Sequence, residues 1–559
     1  MTSRRDFLIQ GSALTGAVPL LPGLGPLASY DPPIAGFIDL RRPPDSVSIQ
    51  TSTGRQALGR TDAGERWTHE DVVVRTRAGS ISLSAPRTPL RRIRLRWNGS
   101  IPASARVLGD AWERAYGDLE WRGLVPDRIL PWYFAATAAG VTHAYGVRTG
   151  PNAFCCWQVD AAGVTLWADL RSGGSPLTLG ERELAVCDVI ARAGRVGETP
   201  FAALHAFCRE LCPAPRMPAL PVYGSNDWYW AYGKNSAASV RTDAARIVEL
   251  SPEGRNRPFA VIDDGWQPGR GADERNLGYW DRGNDKFGDM ARLAADVVQA
   301  GARPGIWVRP LQAPADANES WRLSRNRETL DPTVPEVRQR VAEDMRRLRG
   351  WGYELIKHDY TTWEIFGRWG FQMGSELTKD GWKFAEGTNR TTAEIIHELY
   401  ATIRDGAGDA LVIGCNTVSH LSAGVFDICR IGDDTSGTEW NRTRKMGVNS
   451  LAFRAVQHGA FYVADGDCVG VTNDQPWSLN RQWLELLARS GTMLMVSLAP
   501  DALDQAKRRD LRAALAVAAM PHPVGEPLDW QEAIYPTRWR LMGKPQRFDW
   551  VGNDGTELQ

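Results

Sequence analysis

The 559-residue chain lacks most of the signatures that announce a cofactor or a nucleic-acid partner. It has no net charge: 66 basic residues balance 66 acidic ones. Non-specific nucleic-acid binding needs a basic footprint, so the balance argues against it. No Gly-rich phosphate loop follows any strand-like run, which argues against a nucleotide site. Only eight His are present, dispersed, with neither an HxH pair after a strand nor HExxH, and the eight Cys include no CxxC pair. A zinc cage is therefore not expected, and no metal or other cofactor is implied. The pair in "DGD", Asp465 and Asp467, is the one place where a hard cation would find oxygen ligands. No apolar run is long enough to span a bilayer, so no membrane anchor is expected.

What is present is a globular composition, 43% hydrophobic and 24% charged, long enough for two or three domains. The 23 Trp suit a protein that stacks flat apolar faces against ligands, and sugars present such faces. The first 30 residues read as an address: paired arginines in "SRRDFL" (Ser3 to Leu8) precede a weakly apolar stretch, the twin-arginine export pattern. This implies a periplasmic or secreted protein that folds before translocation.

From 31 to 215, short alternating runs such as "RIRLRW", "FCCWQVD" and "VTLWADL" are broken by Gly, Pro, Asn and Asp, which predicts an antiparallel β-sandwich. From 216 to 520 the grammar becomes strand, helix, strand, helix. Eight parallel-type strand runs over this span predict a (β/α)8 barrel. "WRLMG" and "RFDWVGN" place a short β segment at 521–559.

The active end of such a barrel is the C-terminal end of its strands. Polar groups gather there: Trp228 after strand one, Asp263, Asp264 and Trp266 after strand two, and Trp307 and Arg309 on strand three. Lys357 and Asp359 close strand four, Cys415 strand five, and Arg430, Asp433 and Asp434 strand six. Residues two apart share a face of a strand, so Lys357 and Asp359 point together into the barrel mouth and His358 points behind it. A Lys beside Asp359 favours the carboxylate, as a nucleophile requires. Asp433 and Asp434, two strands on, supply the second carboxylate of glycoside hydrolysis. One carboxyl attacks; the other holds a proton for the leaving oxygen. Asp263 and Asp264 suit the gripping of sugar hydroxyls, and Trp228, Trp266 and Trp307 the stacking on a ring.

In order and spacing, "IDDGWQ", "GIWVRP", "IKHDY" and "RIGDDTSG" resemble the α-galactosidase clan, nearest glycoside hydrolase family thirty-six and its raffinose-synthase-like relatives. The resemblance implies a retaining α-glycosidase acting on an oligosaccharide or glycoside. It makes Asp359 the nucleophile, gives Asp263 and Asp264 the sugar's 4- and 6-hydroxyls, puts Lys357 on the ring hydroxyls and sets Cys415 in the pocket wall. The family thirty-six pattern makes Asp433 the acid/base, whereas the related family twenty-seven pattern selects Asp434; Asp433 is preferred. Two departures alter the rim: "CNTVSHLS" stands where family members carry a Gly-rich segment with Arg, and a long aromatic insertion follows strand four. The expected activity is that of an exported α-galactosidase. The rivals are transglycosylation, action on an N-acetylgalactosaminide or arabinopyranoside, and a non-catalytic carbohydrate-binding barrel.

Overall fold

A computed structural model describes residues 36–61, 65–269, 278–379, 381–387 and 389–551. The expected export segment lies outside them. The strand Arg92–Asn98 illustrates how the first domain forms: Ile93, Leu95 and Trp97 are buried while the intervening arginines stay partly exposed. Period-2 patterning of this kind suits a sheet with one face on a core. Repeated through the domain, it gives a six-stranded and an eight-stranded antiparallel sheet. A helix, Pro200–Leu211, follows; Thr199 caps it by accepting from Ala202 N at 3.1 Å, with Pro200 in the first turn.

The second domain is a closed eight-stranded parallel barrel. Its strands are β1 (Tyr223–Asn226), β2 (Phe259–Ile262), β3 (Arg303–Val308), β4 (Leu355–His358), β5 (Leu411–Gly414), β6 (Ile428–Arg430), β7 (Val463–Val471) and β8 (Met493–Leu498). β1, β2 and β4 are buried along their whole length, as expected where helices cover a parallel sheet. β8 pairs with β1 through Tyr223 and Leu494, closing the ring. The β7–β8 register shifts between Asp465 and Cys468, and within that bulge Asp467 takes a positive φ of 73°. Bulges re-aim side chains, and this one lies beside the barrel mouth.

One stretch departs from its sequence reading. Arg442 to His458 patterns as a single helix, but the chain divides it into an α turn (Trp440–Thr443), a π-helical turn (Arg444–Asn449), an α segment (Ser450–Arg454) and a 3-10 turn. Gly447 packs against Trp483, where a Cβ would lie 2.8 Å from the ring. The wider π turn accommodates that approach. The last strands, Glu526–Pro527, Arg538–Leu541 and Lys544–Arg547, form a small antiparallel sheet. All eight cysteines are buried and free. Among the described residues no helix is long and apolar enough to cross a membrane.

Candidate active site

Asp359 follows β4, where its N–H continues the ladder to Val308 O at 3.0 Å. Its carboxylate accepts from Trp307 Nε1 at 3.1 Å and from Tyr360 N at 2.8 Å. Both donors fix its orientation. Tyr360 itself has φ 69°, and Arg309 sits over its ring at 4.2 Å while bonding buried Glu364 at 2.6 Å. Arg309 therefore braces the site from behind.

Asp359, Asp433 and Asp434 open onto one cavity of about 580 Å³. Asp433 is held by two guanidinium groups, Arg114 at 2.7 Å and Arg442 at 2.9 Å. Asp434 meets Arg430 at 3.0 Å and Arg114 at 3.5 Å. Burial alone would push the Asp434 carboxyl up. Arg114, then Arg430, Lys357 and Arg442, outweigh burial and hold it at about 2. Its side chain still keeps 41% of its surface open, because it sits deep in the molecule but on the cavity wall.

One layer below, Lys357 Nζ lies 2.7 Å from Asp263 Oδ2, and Asn226 Nδ2 donates to the same oxygen at 2.7 Å. Burial would lower the Lys357 pKa, but the Asp263 charge raises it well above the ordinary value. Asp264 N donates to Asp263 Oδ1 at 2.9 Å, and Gln267 Nε2 to Asp264 Oδ1 at 2.7 Å. Behind them Asp227 is pushed up to about 8 by burial and then by Asp263. A carboxyl raised in this way favours its neutral form beside Asp263. Arg430 is a buried hub, 3.1 Å from Asp465 and 2.7 Å from Asp467 as well as bonded to Asp434. These contacts account for the "DGD" carboxylates as guanidinium partners, and among the described residues no cluster suits a metal ion.

Part of the cavity wall comes from the sandwich. The loop between its strands Arg106–Gly109 and Leu130–Pro131 reaches over the barrel and pairs with the end of β6: Ala115 N donates to Ile431 O at 2.9 Å, and Asp433 N to Ala115 O at 2.8 Å. This bridge delivers Arg114, Tyr116 and Asp118 to the cavity. Glu113, fully buried, pins the loop by accepting from Asn416 Nδ2 at 2.8 Å, Gly370 N at 3.1 Å and the Tyr116 hydroxyl. Trp369 and Phe371, from the insertion after β4, complete the rim.

Comparison with solved structures finds the same architecture. The α-galactosidase TtGalA from Thermus thermophilus, in complex with p-nitrophenyl α-D-galactopyranoside, matches over 90% of this chain and 99% of its own, with TM-score 0.58 and 17% identity. The GH36 α-galactosidase AgaA from Geobacillus stearothermophilus matches over 84% of this chain and 75% of its own, with TM-score 0.54 and 16% identity. This chain has the fold of the GH36 α-galactosidases. No protein-family model matches it. A curated relative, the bifunctional α-galactosidase/sucrose kinase of Mediterraneibacter gnavus, is 30% identical over 136 residues, which span 21% of this chain and 14% of that one.

Within this GH36 fold the expected residues divide into three groups. Asp359, Asp433 and Asp434 converge on the cavity, and Asp263, Asp264, Lys357, Arg430 and Cys415 lie buried beneath or beside it. Cys415 is a neutral thiol, raised well above its ordinary value by burial, with Arg114 at 4.0 Å. Lys357 faces Asp263 as its ion-pair partner rather than Asp359. The tryptophans correct the stacking expectation. Trp266 is fully buried against Trp280 and Trp351 and donates to Trp307 O at 2.9 Å. Gly265, at φ 117°, turns the chain so that Trp266 enters the core. Trp307 is 2% exposed and acts on Asp359 through its indole N–H. Trp228 packs on Tyr232 and does not line the cavity. His358 packs behind β4 against Tyr400 and Phe426, as alternation predicts.

Arg114, Tyr116, Arg442 and Lys445 were not expected at the site. The loop's "DAWERAYGDLEW" carries the only sequence signal: it is rich in charge and aromatics and lacks the alternation of its flanking strands.

Proposed function

We propose that this protein is a retaining α-galactosidase. The supporting observation is the convergence of Asp359 and Asp433 on one cavity, with Asp434 held ionised between Arg114 and Arg430. The fold shared with the GH36 enzymes adds weight.

In this reading Asp359, oriented by Trp307 and Tyr360, attacks the anomeric carbon as the bond to the leaving oxygen breaks. Asp433 gives that oxygen its proton. Water then attacks the glycosyl–Asp359 ester from the same side as the departed group, Asp433 takes the water's proton, and Asp359 is released as carboxylate. Asp433 is preferred to Asp434 as the acid on the family thirty-six motif pattern, and the two are separated by the leaving-group test below. Lys357, Asp263 and Asp264 grip the hydroxyls of the glycone, the adjacent carboxylates matching a galactose ring whose 4- and 6-hydroxyls lie on one side. We infer export by the twin-arginine route from Ser3 to Leu8 alone.

The test is kcat/KM on nitrophenyl α-galactoside against nitrophenyl α-glucoside, with the product anomer read by proton NMR. The reading expects α-galactose first, a preference of about 10- to 1000-fold over the gluco substrate, and loss of turnover in Asp359→Ala. Equal activity on both glycosides removes the galactose assignment; β-galactose as first product removes retention.

A further inference from the structure

The cavity continues past the carboxylates. Arg442, Lys445 and Met446 line it and also line an adjoining recess of about 280 Å³, walled in addition by Glu439, Arg444 and Tyr535. The recess is basic: three cations face one carboxylate. Arg442 is committed to Asp433 at 2.9 Å. Arg444 and Lys445 are not committed. Among the described residues neither has a carboxylate within ion-pair distance, and the buried Nε of Arg444 has no hydrogen-bond partner.

The Arg444 side chain and the Lys445 backbone are held in place, while the Lys445 side chain is exposed. Arg444 lies 4.7 Å over the ring of Tyr535. The backbone of Lys445 is gripped by the sandwich loop, where Gly117, at φ 70°, packs so closely that a Cβ would fall 2.6 Å from Lys445 O. The two cations begin the π-helical turn Arg444–Asn449, a distortion frequent at functional sites. Two cations lining one recess, with no carboxylate within ion-pair distance among the described residues, make a positive local potential that attracts an anion.

Resting on the hydrolase reading above, we propose that this recess is the leaving-group subsite for α-galactosides whose next sugar bears a carboxylate. The glycone lies toward Lys357 and Asp263, Asp433 meets the bridging oxygen, and the leaving sugar then extends past Arg442 toward Arg444 and Lys445. A planar guanidinium at Arg444 and the ammonium of Lys445 match a carboxylate by fork and point charge respectively.

The experiment compares melibionate, galactose α-linked to gluconate, with melibionamide, its neutral isostere. Glycone, linkage and leaving oxygen are the same in both. At an ionic strength of about 0.01 M, kcat/KM for melibionate is expected to exceed that for the amide by roughly tenfold, equivalent to about 1.4 kcal/mol. At about 1 M salt the advantage should shrink several-fold. In Arg444→Met and Lys445→Met the melibionate-to-amide ratio should fall toward one. Equal kcat/KM for the two substrates in the unmodified enzyme overturns the inference and leaves the hydrolase reading standing. So does a preference that salt and both substitutions leave untouched. No turnover of either substrate or of nitrophenyl α-galactoside overturns the hydrolase reading, and the inference falls with it.

Discussion

Arg114 Nη2, on a loop of the sandwich, lies 2.7 Å from Asp433 Oδ1 at the end of the sixth barrel strand. The same guanidinium reaches Asp434 at 3.5 Å. One cation from one domain thus sets the spacing and charge of two carboxylates in the other. Arg114→Met should lower kcat/KM by about 100-fold and stability by about 1–3 kcal/mol, because charged groups lose a buried partner. Arg114→Lys should recover only part of the loss, since a single ammonium does not span both carboxylates as the fork does. Steady-state kinetics and urea midpoints read both effects.

Asp433 and Asp434 separate by leaving group. Asp433→Ala should slow melibiose by about 10²–10⁴-fold and nitrophenyl α-galactoside far less, because an activated phenol needs little protonation. Asp434→Asn should slow both substrates by a similar factor, since it removes a counter-charge from Arg114 and Arg430 rather than a proton. The reverse pattern would assign proton transfer to Asp434.

Trp307→Phe removes the N–H that orients Asp359 while keeping an aromatic ring among Trp280 and Tyr360. A hydrogen bond to a charged group contributes about 1.5–3 kcal/mol. The expected result is a fall in kcat of roughly 10- to 150-fold with KM little changed. A rise in KM with kcat intact would place Trp307 in substrate binding instead.

Acid should unfold the protein through its buried histidines. Burial holds His358 at about 3, and His420 and His458 at about 4, against an unfolded value near 6.5. A base whose folded pKa is depressed is stable above the unfolded value and loses that stability as pH falls toward the folded one. Between about pH 6 and 4 the unfolded chain therefore takes up protons that the native chain refuses, with each such group steepening the loss by up to about 1.4 kcal/mol per pH unit. Calorimetric unfolding at pH 5 in buffers of differing ionisation enthalpy should register about one proton fewer taken up in His358→Gln than in the unmodified chain. An uptake left unchanged by that substitution would contradict the burial of the ring.

Much of the barrel was legible because a short, fully apolar β-prone run that ends in charge suits a strand buried on both faces with its tip at a polar mouth. "YELIKHDY" put Lys357 and Asp359 on one face by alternation alone, and that placement holds. The partner of Lys357 was not legible. Its long side chain reaches to Asp263 just after β2, and curvature of that kind leaves no mark on β4 itself. Trp266 misled for a local reason: after a strand end, one residue at positive φ decides whether a ring faces the cavity or the core, and Gly265 sends it inward. Arg114 was hidden by distance. It is 320 residues from Asp434 and belongs to a run that reads as a sandwich loop. Pairwise contacts between domains have no periodicity to betray them.

The bridge from Ala115 to Gly432 also limits how this architecture can be recombined. A barrel expressed from residue 216 onward would carry Asp359 but not the part of the cavity wall that Arg114, Tyr116 and Asp118 supply. A foreign sandwich grafted in front would impose its own loop on the pocket. Under the proposed function, selectivity would pass through both halves of the chain together, since substitutions in "DAWERAYGDLEW" reach the same cavity as those beside Asp359.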